Sequence, residues 1–370
     1  MENVKNNENM EIEEDYPQCN AGYEDQNNNL SKEDMGGCKQ NKSLFKLSTK
    51  TENSKSLSEL NSSIATNYSS NPKNTGVSIN QSNDFIEDSN IINNNKKNNK
   101  SLFKFESSNK NYFSEYYDEI YINLLLDERL AKNLIKIDYM KQQNEINYKM
   151  RAILIDWLIE VHYRYRFKRK TLLQTIMIID LYLSKETISK INLQLLGIAS
   201  LLISCKENEI FYPGTQEFVN MTNNAYTKSE LLKMESHVLN SLNFEILSPS
   251  ADEFYNILSK CFNFNKEQKF LGEYFMDSSL IDYSMLKYPP SIIAMACAYI
   301  VMKFYRIKKY KDLYSSNMVI GDSPKKYIKD CARDLCFFVK NLSNSSLKAT
   351  KDKYSLEKFG KVAYLCEEKK

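Results

Sequence analysis

The stretch Met150-Arg-Ala-Ile-Leu-Ile-Asp-Trp-Leu-Ile-Glu-Val-His162, which holds the only tryptophan of the chain, limits the possible folds more than any other. Wound at roughly 100° per residue, it turns Leu154, Leu158 and Val161 to one side, sets Met150, Ile153 and Trp157 beside them, and carries Ile155 and Ile159 further round. A helix that is apolar almost all round cannot lie on a surface and is expected at the centre of a helical bundle. Asp156 and Glu160 form its polar sector. The border of that sector, at Met150, Ile153 and Trp157, is where the helix is expected to reach solvent.

Helical periodicity continues on both sides. Apolar residues at Tyr116, Ile120 and Leu124, with Ser114 as N-cap, predict an amphipathic helix lying outside the main bundle. Beyond the opening helix the spacing predicts helices at 171–184, 193–205, 216–221 and 228–242, punctuated by Ser189, Pro213-Gly214 and Asn223-Asn224. After Ser248-Pro249 the rhythm restarts at 251–262, 267–281, 290–304 and 325–342, and the end is expected to form one short helix and a tail. Alternating strand patterns are missing. The fold class expected is all-α, two tandem five-helix units forming an internal structural repeat.

Residues 1–111 are dominated by Asn, Ser, Lys and Glu, and their isolated apolar side chains cannot offset the entropy of ordering, so a disordered leader is expected. The organisation expected is leader 1–111, helix and linker 112–147, first unit 148–247, second unit 248–345, and helix and tail 346–370. With Lys+Arg 50 against Asp+Glu 47, the chain has no global field that would favour nucleic acid or an anionic membrane, and neither is expected as a partner. The longest apolar run, 292–302, is well short of the ~20 residues a spanning helix needs. No N-terminal apolar segment resembles a signal peptide, so none is expected, and the eight cysteines are scattered without CxxC pairs. These features fit a reduced protein of the nucleus, the cytoplasm or both, with Lys96-Lys97 and Lys100 as a sparse basic cluster.

Nothing recommends an enzyme. The two histidines, His162 and His237, sit in separate predicted helices, and no glycine-rich loop follows a strand. No Ser, Cys or carboxylate set has the spacing of a nucleophile, base or ligand, so no catalytic residue, metal or cofactor is expected.

The opening helix, together with Ile179-Asp180, Leu193-Gln-Leu-Leu-Gly197, Lys206 with Glu209-Ile210 and Pro213, and Asn224-Ala-Tyr-Thr-Lys-Ser-Glu-Leu-Leu-Lys-Met-Glu235, resembles the cyclin box in order and spacing. Leu242-Asn-Phe244, Ser279-Leu-Ile-Asp-Tyr283, Lys287-Tyr-Pro-Pro-Ser291 and Lys353-Tyr-Ser-Leu-Glu-Lys-Phe-Gly360 resemble the second half of A/B-type mitotic cyclins, nearer the B type. The resemblance implies two tandem five-helix cyclin folds preceded by an N-terminal helix. It also implies a non-catalytic subunit that binds a cyclin-dependent Ser/Thr kinase as a heterodimer, favours its active conformation and recruits Arg-x-Leu-type substrates or inhibitors in mitotic control.

Position by position, the resemblance assigns Lys206 and Glu235 to the grip on the kinase's mobile helix, with Ile203, Leu239 and Ile246 as apolar positions around them. It assigns Met150, Ile153, Trp157, Leu193 and Gln194, with Glu160 supplying charge, to the peptide-docking groove, and Arg151 with Asp180 to a structural ion pair. Two departures stand at Glu207, where the family usually has an aromatic, and Asn208, where it has an acid. No arginine precedes Arg129, so an Arg-x-x-Leu destruction element is missing from the stretch before it. A non-mitotic or transcriptional cyclin and a general transcription factor of the same fold stay open as alternatives. The transcription factor would carry basic helix faces and bind DNA in a salt-dependent way.

Overall fold

The computed structural model describes residues 116–131, 135–314, 324–342 and 345–368. The expected leader 1–111, the basic cluster near Lys96 and the cap at Ser114 lie outside the described residues. All regular structure among the described residues is helical.

The order is α1 (Tyr117–Ala131); then α2 (Tyr148–Tyr165), α3 (Arg169–Lys185), α4 (Leu193–Asn208), α5 (Thr215–Met221) and α6 (Lys228–Ser241) in the first unit. The second contains α7 (Ala251–Cys261), α8 (Lys266–Ile281), α9 (Pro290–Phe304), α10 (Pro324–Leu342), α11 (Ala349–Tyr354) and α12 (Val362–Glu368). Short-range chemistry sets the starts. The Asn147 side chain accepts from the N–H groups of Lys149 and Met150, Thr227 and Glu230 form a capping box, and so do Ser250 with Glu253 and Asn265 with Gln268. Pro290 stands at the first turn of α9, where its missing N–H costs nothing. Asn223 and Asn224, both at φ 56°, turn the chain in the left-handed region that asparagine tolerates better than most residues.

The centre of the first unit is α4, where every residue from Leu195 to Cys205 is buried and which packs against α3 and α6. Its counterpart is α9, held among α7, α8 and α10. The expectation that the helix at 150–162 is the bundle centre is therefore corrected. Helix α2 packs on α3 and α4 on one side and on α8 and α11 of the second unit on the other. It is apolar on opposite flanks because each flank meets a different bundle. Gly197 permits the close approach to α4, since a Cβ there would come 2.7 Å from Leu154 Cδ1.

Two further placements were not legible from periodicity. Helix α1 lies on the second unit, with Tyr117, Tyr121 and Leu125 in that core and the Glu128 carboxylate accepting from Ser291 N–H at 2.7 Å and its hydroxyl at 2.6 Å. The chain end forms two short helices instead of one and a tail, and Tyr354, Val362 and Ala363 are buried in the second core. A run of lysines and glutamates disguised these few anchors.

Candidate functional site

Lys206, in the last turn of α4, reaches Glu235 of α6, with Nζ 2.5 Å from Oε1. The pair is asymmetric. The Lys206 side chain is 42% exposed, whereas Glu235 is 9% exposed, so the carboxylate is held by the fold while the ammonium faces solvent. The same corner is laced by polar contacts. Asn208 donates to the Ser204 carbonyl at 3.0 Å and to the Gln174 side chain, and Gln174 donates to the Ile246 carbonyl at 3.3 Å. Through Gln174, the ends of α4 and of the segment after α6 are thus tied together. Glu209 accepts from Lys168 N–H at 2.7 Å and from the Thr171 hydroxyl at 2.5 Å, which fixes the exit from α4.

Of the three apolar positions placed around this pair, Leu239 and Ile246 are half-buried, but Ile203 is only 3% exposed and belongs to the first core. Ile203 is corrected from a contact residue to a core residue, because its helix is buried on every side at that turn. The exposed apolar residues are others: Ile210, Phe211 at 86% and Tyr212 directly after α4, and Phe244 and Leu247 after α6. Ile210 and Phe244 fall in motifs quoted for the resemblance, but none of the five is among the contact positions it assigns; the run of three apolar residues between Glu209 and Pro213 was the available signal. Glu207 is exposed beside Lys206.

The second candidate surface combines one flank of α2 with the first turn of α4. Met150 and Trp157 are half-buried against the first core, Ile153 and Gln194 are also half-buried, and Leu193 is 2% exposed, so Leu193 supplies the floor and not the rim. Glu160 already holds Arg164, one turn on, at 2.8 Å. Asp156 departs from the expected polar sector: it is buried, and its Oδ1 accepts from Ala349 N–H at 3.0 Å at the start of α11. Burial pushes its carboxyl up to about 6.

Arg151 and Asp180 form a two-point ion pair, Nε to Oδ1 and a terminal nitrogen to Oδ2, each 2.7 Å, and both side chains are buried. Tyr139 donates to the same carboxylate at 2.7 Å, and Arg151 donates its remaining nitrogen to the Leu280 carbonyl of α8 at 3.0 Å. Burial alone would weaken the guanidinium's charge, yet Asp180 and Tyr139 outweigh it and hold Arg151 above its ordinary range.

A larger cluster joins the two units. Arg169, at the start of α3, meets Asp252 at 2.6 Å, Asp277 at 2.7 Å and the Tyr354 hydroxyl at 3.1 Å, while Lys353 reaches Asp277 at 2.8 Å. Lys353 and Tyr354 fall in a motif quoted for the resemblance, but Arg169, Asp252 and Asp277 were not singled out from the sequence. His162 is buried with Nε2 3.0 Å from the Lys168 carbonyl, and burial, with Lys353 nearby, pushes it down to about 4. Among the described residues no group of three or more His, Cys, Asp or Glu is arranged to hold a metal, and no helix is long and apolar enough to cross a membrane.

Residues 119–247 match the family described as the cyclin N-terminal domain, and residues 249–368 match the cyclin C-terminal domain. The chain is similar to Cyclin-B2-1 of Oryza sativa subsp. japonica, 31% identical over 291 residues that make up 78% of this chain and 66% of the relative. It is similar to G2/mitotic-specific cyclin-B of Hydra vulgaris, 32% identical over 258 residues that make up 68% of each chain. Among solved structures it is similar to a viral cyclin from herpesvirus saimiri, at 18% identity and TM-score 0.49, covering 58% of this chain and 97% of that one. The chain spans 59–66% of the length of the first curated relatives it matches.

Proposed function

The chain belongs to the cyclin family, and from that membership we propose that it is the regulatory subunit of a cyclin-dependent Ser/Thr kinase, acting in mitotic control in the nucleus, the cytoplasm or both. The surface around Lys206 and Glu235 is the kinase-binding face. One observation carries this reading: a half-exposed ammonium anchored by a buried carboxylate stands among exposed apolar side chains in the segments that end α4 and α6. Anchoring Lys206 lowers the entropy lost when its remaining N–H donors engage a partner, and the apolar rim supplies area to bury. The protein does no chemistry in this role. It binds the active kinase conformation more tightly than the inactive one and shifts the population by that difference.

The α2 and α4 surface around Trp157 recruits short Arg-x-Leu-type segments: apolar side chains take the leucine, and Glu160 takes the cation. Glu160 must then release or share Arg164. The experiment that tests the reading is capture of the full chain from native extract, with a kinase assay on the captured material. Co-purifying kinase activity that falls with Lys206→Ala is the expected result. Capture without kinase activity, or activity indifferent to the substitution, would overturn it.

A further inference from the structure

Residues 1–111 contain one six-residue sequence twice. Asn41-Lys-Ser-Leu-Phe-Lys46 recurs without change as Asn99-Lys-Ser-Leu-Phe-Lys104, and a large apolar residue follows each copy, Leu47 or Phe105. Leu-Phe occurs nowhere else in the chain. The same 111 residues hold six leucines and four phenylalanines in all, so a composition dominated by Asn and Ser does not by itself supply a cation, a leucine and an aromatic at identical spacing twice.

These are the groups that the surface around Trp157 takes in its docking role: a cation beside Glu160 and a leucine on apolar side chains. Trp157 and Glu160 stand three residues apart on α2, which puts their Cβ atoms about 5–6 Å apart. In an extended segment, residues two apart point the same way about 7 Å from each other. Lys100 can therefore meet Glu160, sharing it with Arg164, while Leu102 lies on Trp157 above the floor at Leu193. Phe103 adds apolar area at the edge of that floor. Ile191, two residues before Leu193, is 77% exposed there, and the Tyr226 hydroxyl holds its turn by donating to the Ile191 carbonyl at 2.7 Å.

We propose, resting on that docking role, that the segment Asn99–Lys104 occupies the surface in its own chain and competes with external Arg-x-Leu-type segments. Length favours this copy. Phe103 lies 13 residues before Tyr116, the first described residue, and that stretch extends to about 45 Å. A folded chain of about 250 residues has a radius of gyration of about 18 Å, so the tether spans a body of that width. It holds the segment at an effective concentration on the order of 1 mM. Lysine in place of arginine weakens the grip on Glu160, because one ammonium does not match the two-point geometry of a guanidinium. A segment binding at about 0.1 mM then still fills the surface about nine times in ten and lowers the apparent affinity of an external segment about tenfold. The consequence is a threshold: strong docking partners displace the segment, and weak ones are excluded.

Fluorescence anisotropy with the full chain and a labelled Arg-x-Leu-Phe peptide tests this, with an unlabelled peptide of residues 97–106 as competitor. The competitor should displace the labelled peptide. Leu44→Ser, Phe45→Ser, Leu102→Ser and Phe103→Ser made together should tighten the labelled peptide about tenfold; both copies are changed because their side chains are identical. Phe85→Ser with Ile86→Ser, two apolar residues outside the copies, should change nothing, and the parent chain should sediment as a monomer. Labelled-peptide binding that the competitor does not displace, a four-residue variant that binds no tighter, or an equal gain from the Phe85 and Ile86 pair sinks the proposal and leaves the docking role standing. A parent dimer that the four substitutions dissociate also sinks it, since the segment then docks on a second copy. If the labelled peptide binds neither form, the docking role fails and the proposal with it.

Discussion

Arg169 stands 2.7 Å from Asp277 across the boundary between the two helical units, with Asp252 2.6 Å away on its other side. One guanidinium at the start of α3 thereby becomes the ionic joint of the molecule. Asp277 is fully buried, and burial would raise its pKa, but Arg169 and Lys353 reverse that and hold its carboxyl well below the usual range. The cluster balances charges that neither unit could bury alone.

Arg169→Ala leaves Asp252 and Asp277 without their central partner and is expected to cost about 3–5 kcal/mol in urea unfolding. Loss of the joint should also separate the unfolding of the two units into two transitions. Lys170→Ala is the control, since that ammonium is half-exposed and 3.5 Å from Glu253, and its cost should stay within about 0.5 kcal/mol. Equal costs would show that burial is not what makes the joint.

At the proposed kinase-binding face, Lys206→Ala should weaken kinase binding about tenfold or more, measured by surface plasmon resonance. Glu207→Phe supplies the aromatic that the family resemblance implies at this position and should tighten binding several-fold, because the position is exposed and the larger apolar side chain adds area to bury. Binding unchanged by both substitutions would place the interface elsewhere.

For the proposed docking surface, fluorescence anisotropy with a labelled Arg-x-Leu peptide separates two contributions. Trp157→Ala should weaken binding about tenfold, by removal of a half-buried anchor. Arg164→Ala should strengthen it, since Glu160 then keeps its full charge for the incoming cation. A weaker complex with Arg164→Ala would mean that Arg164 itself touches the peptide.

Acid should destabilise the fold through His162. Its folded pKa, about 4, lies below the ordinary histidine value, so the unfolded chain binds the extra proton first. The stability that the neutral ring contributes is full above about pH 6.5 and is lost as pH falls toward about 4, on the order of 3 kcal/mol in all. Asp156 has the opposite sign. Its folded pKa, about 6, is raised, so its ionised form is a burden above that pH and its protonation on acidification favours the fold. Urea midpoints measured from pH 7.5 to 5 should fall less steeply in His162→Gln than in the parent, and Asp156→Asn should be the more stable form at pH 7.5.

Much of this was written in short-range terms. Helix ends follow local caps, and the capping boxes of Thr227 with Glu230 and of Asn265 with Gln268 operate within four residues. The resemblance named Lys206, Glu235, Arg151 and Asp180 because motifs preserve order along the chain, yet it could not tell that Ile203 is spent on the core or that Asp156 anchors the start of α11. Leu193 is similar: its position in the motif is plain, and its near-complete burial is not.

By itself the sequence determined an all-helical chain in two successive units, because a 3.6-residue apolar period and its punctuation are properties of neighbouring residues. Only the tertiary structure decided that α2 is the joint between the units instead of the centre of one, and that α1 rests on the second unit. It alone brought Arg169 to Asp277 and Tyr354. The reason is physical. Which charges meet depends on how helices cross, and crossing is set by the packing of whole faces, so residues 185 positions apart, as Arg169 and Tyr354 are, carry no local sign of each other.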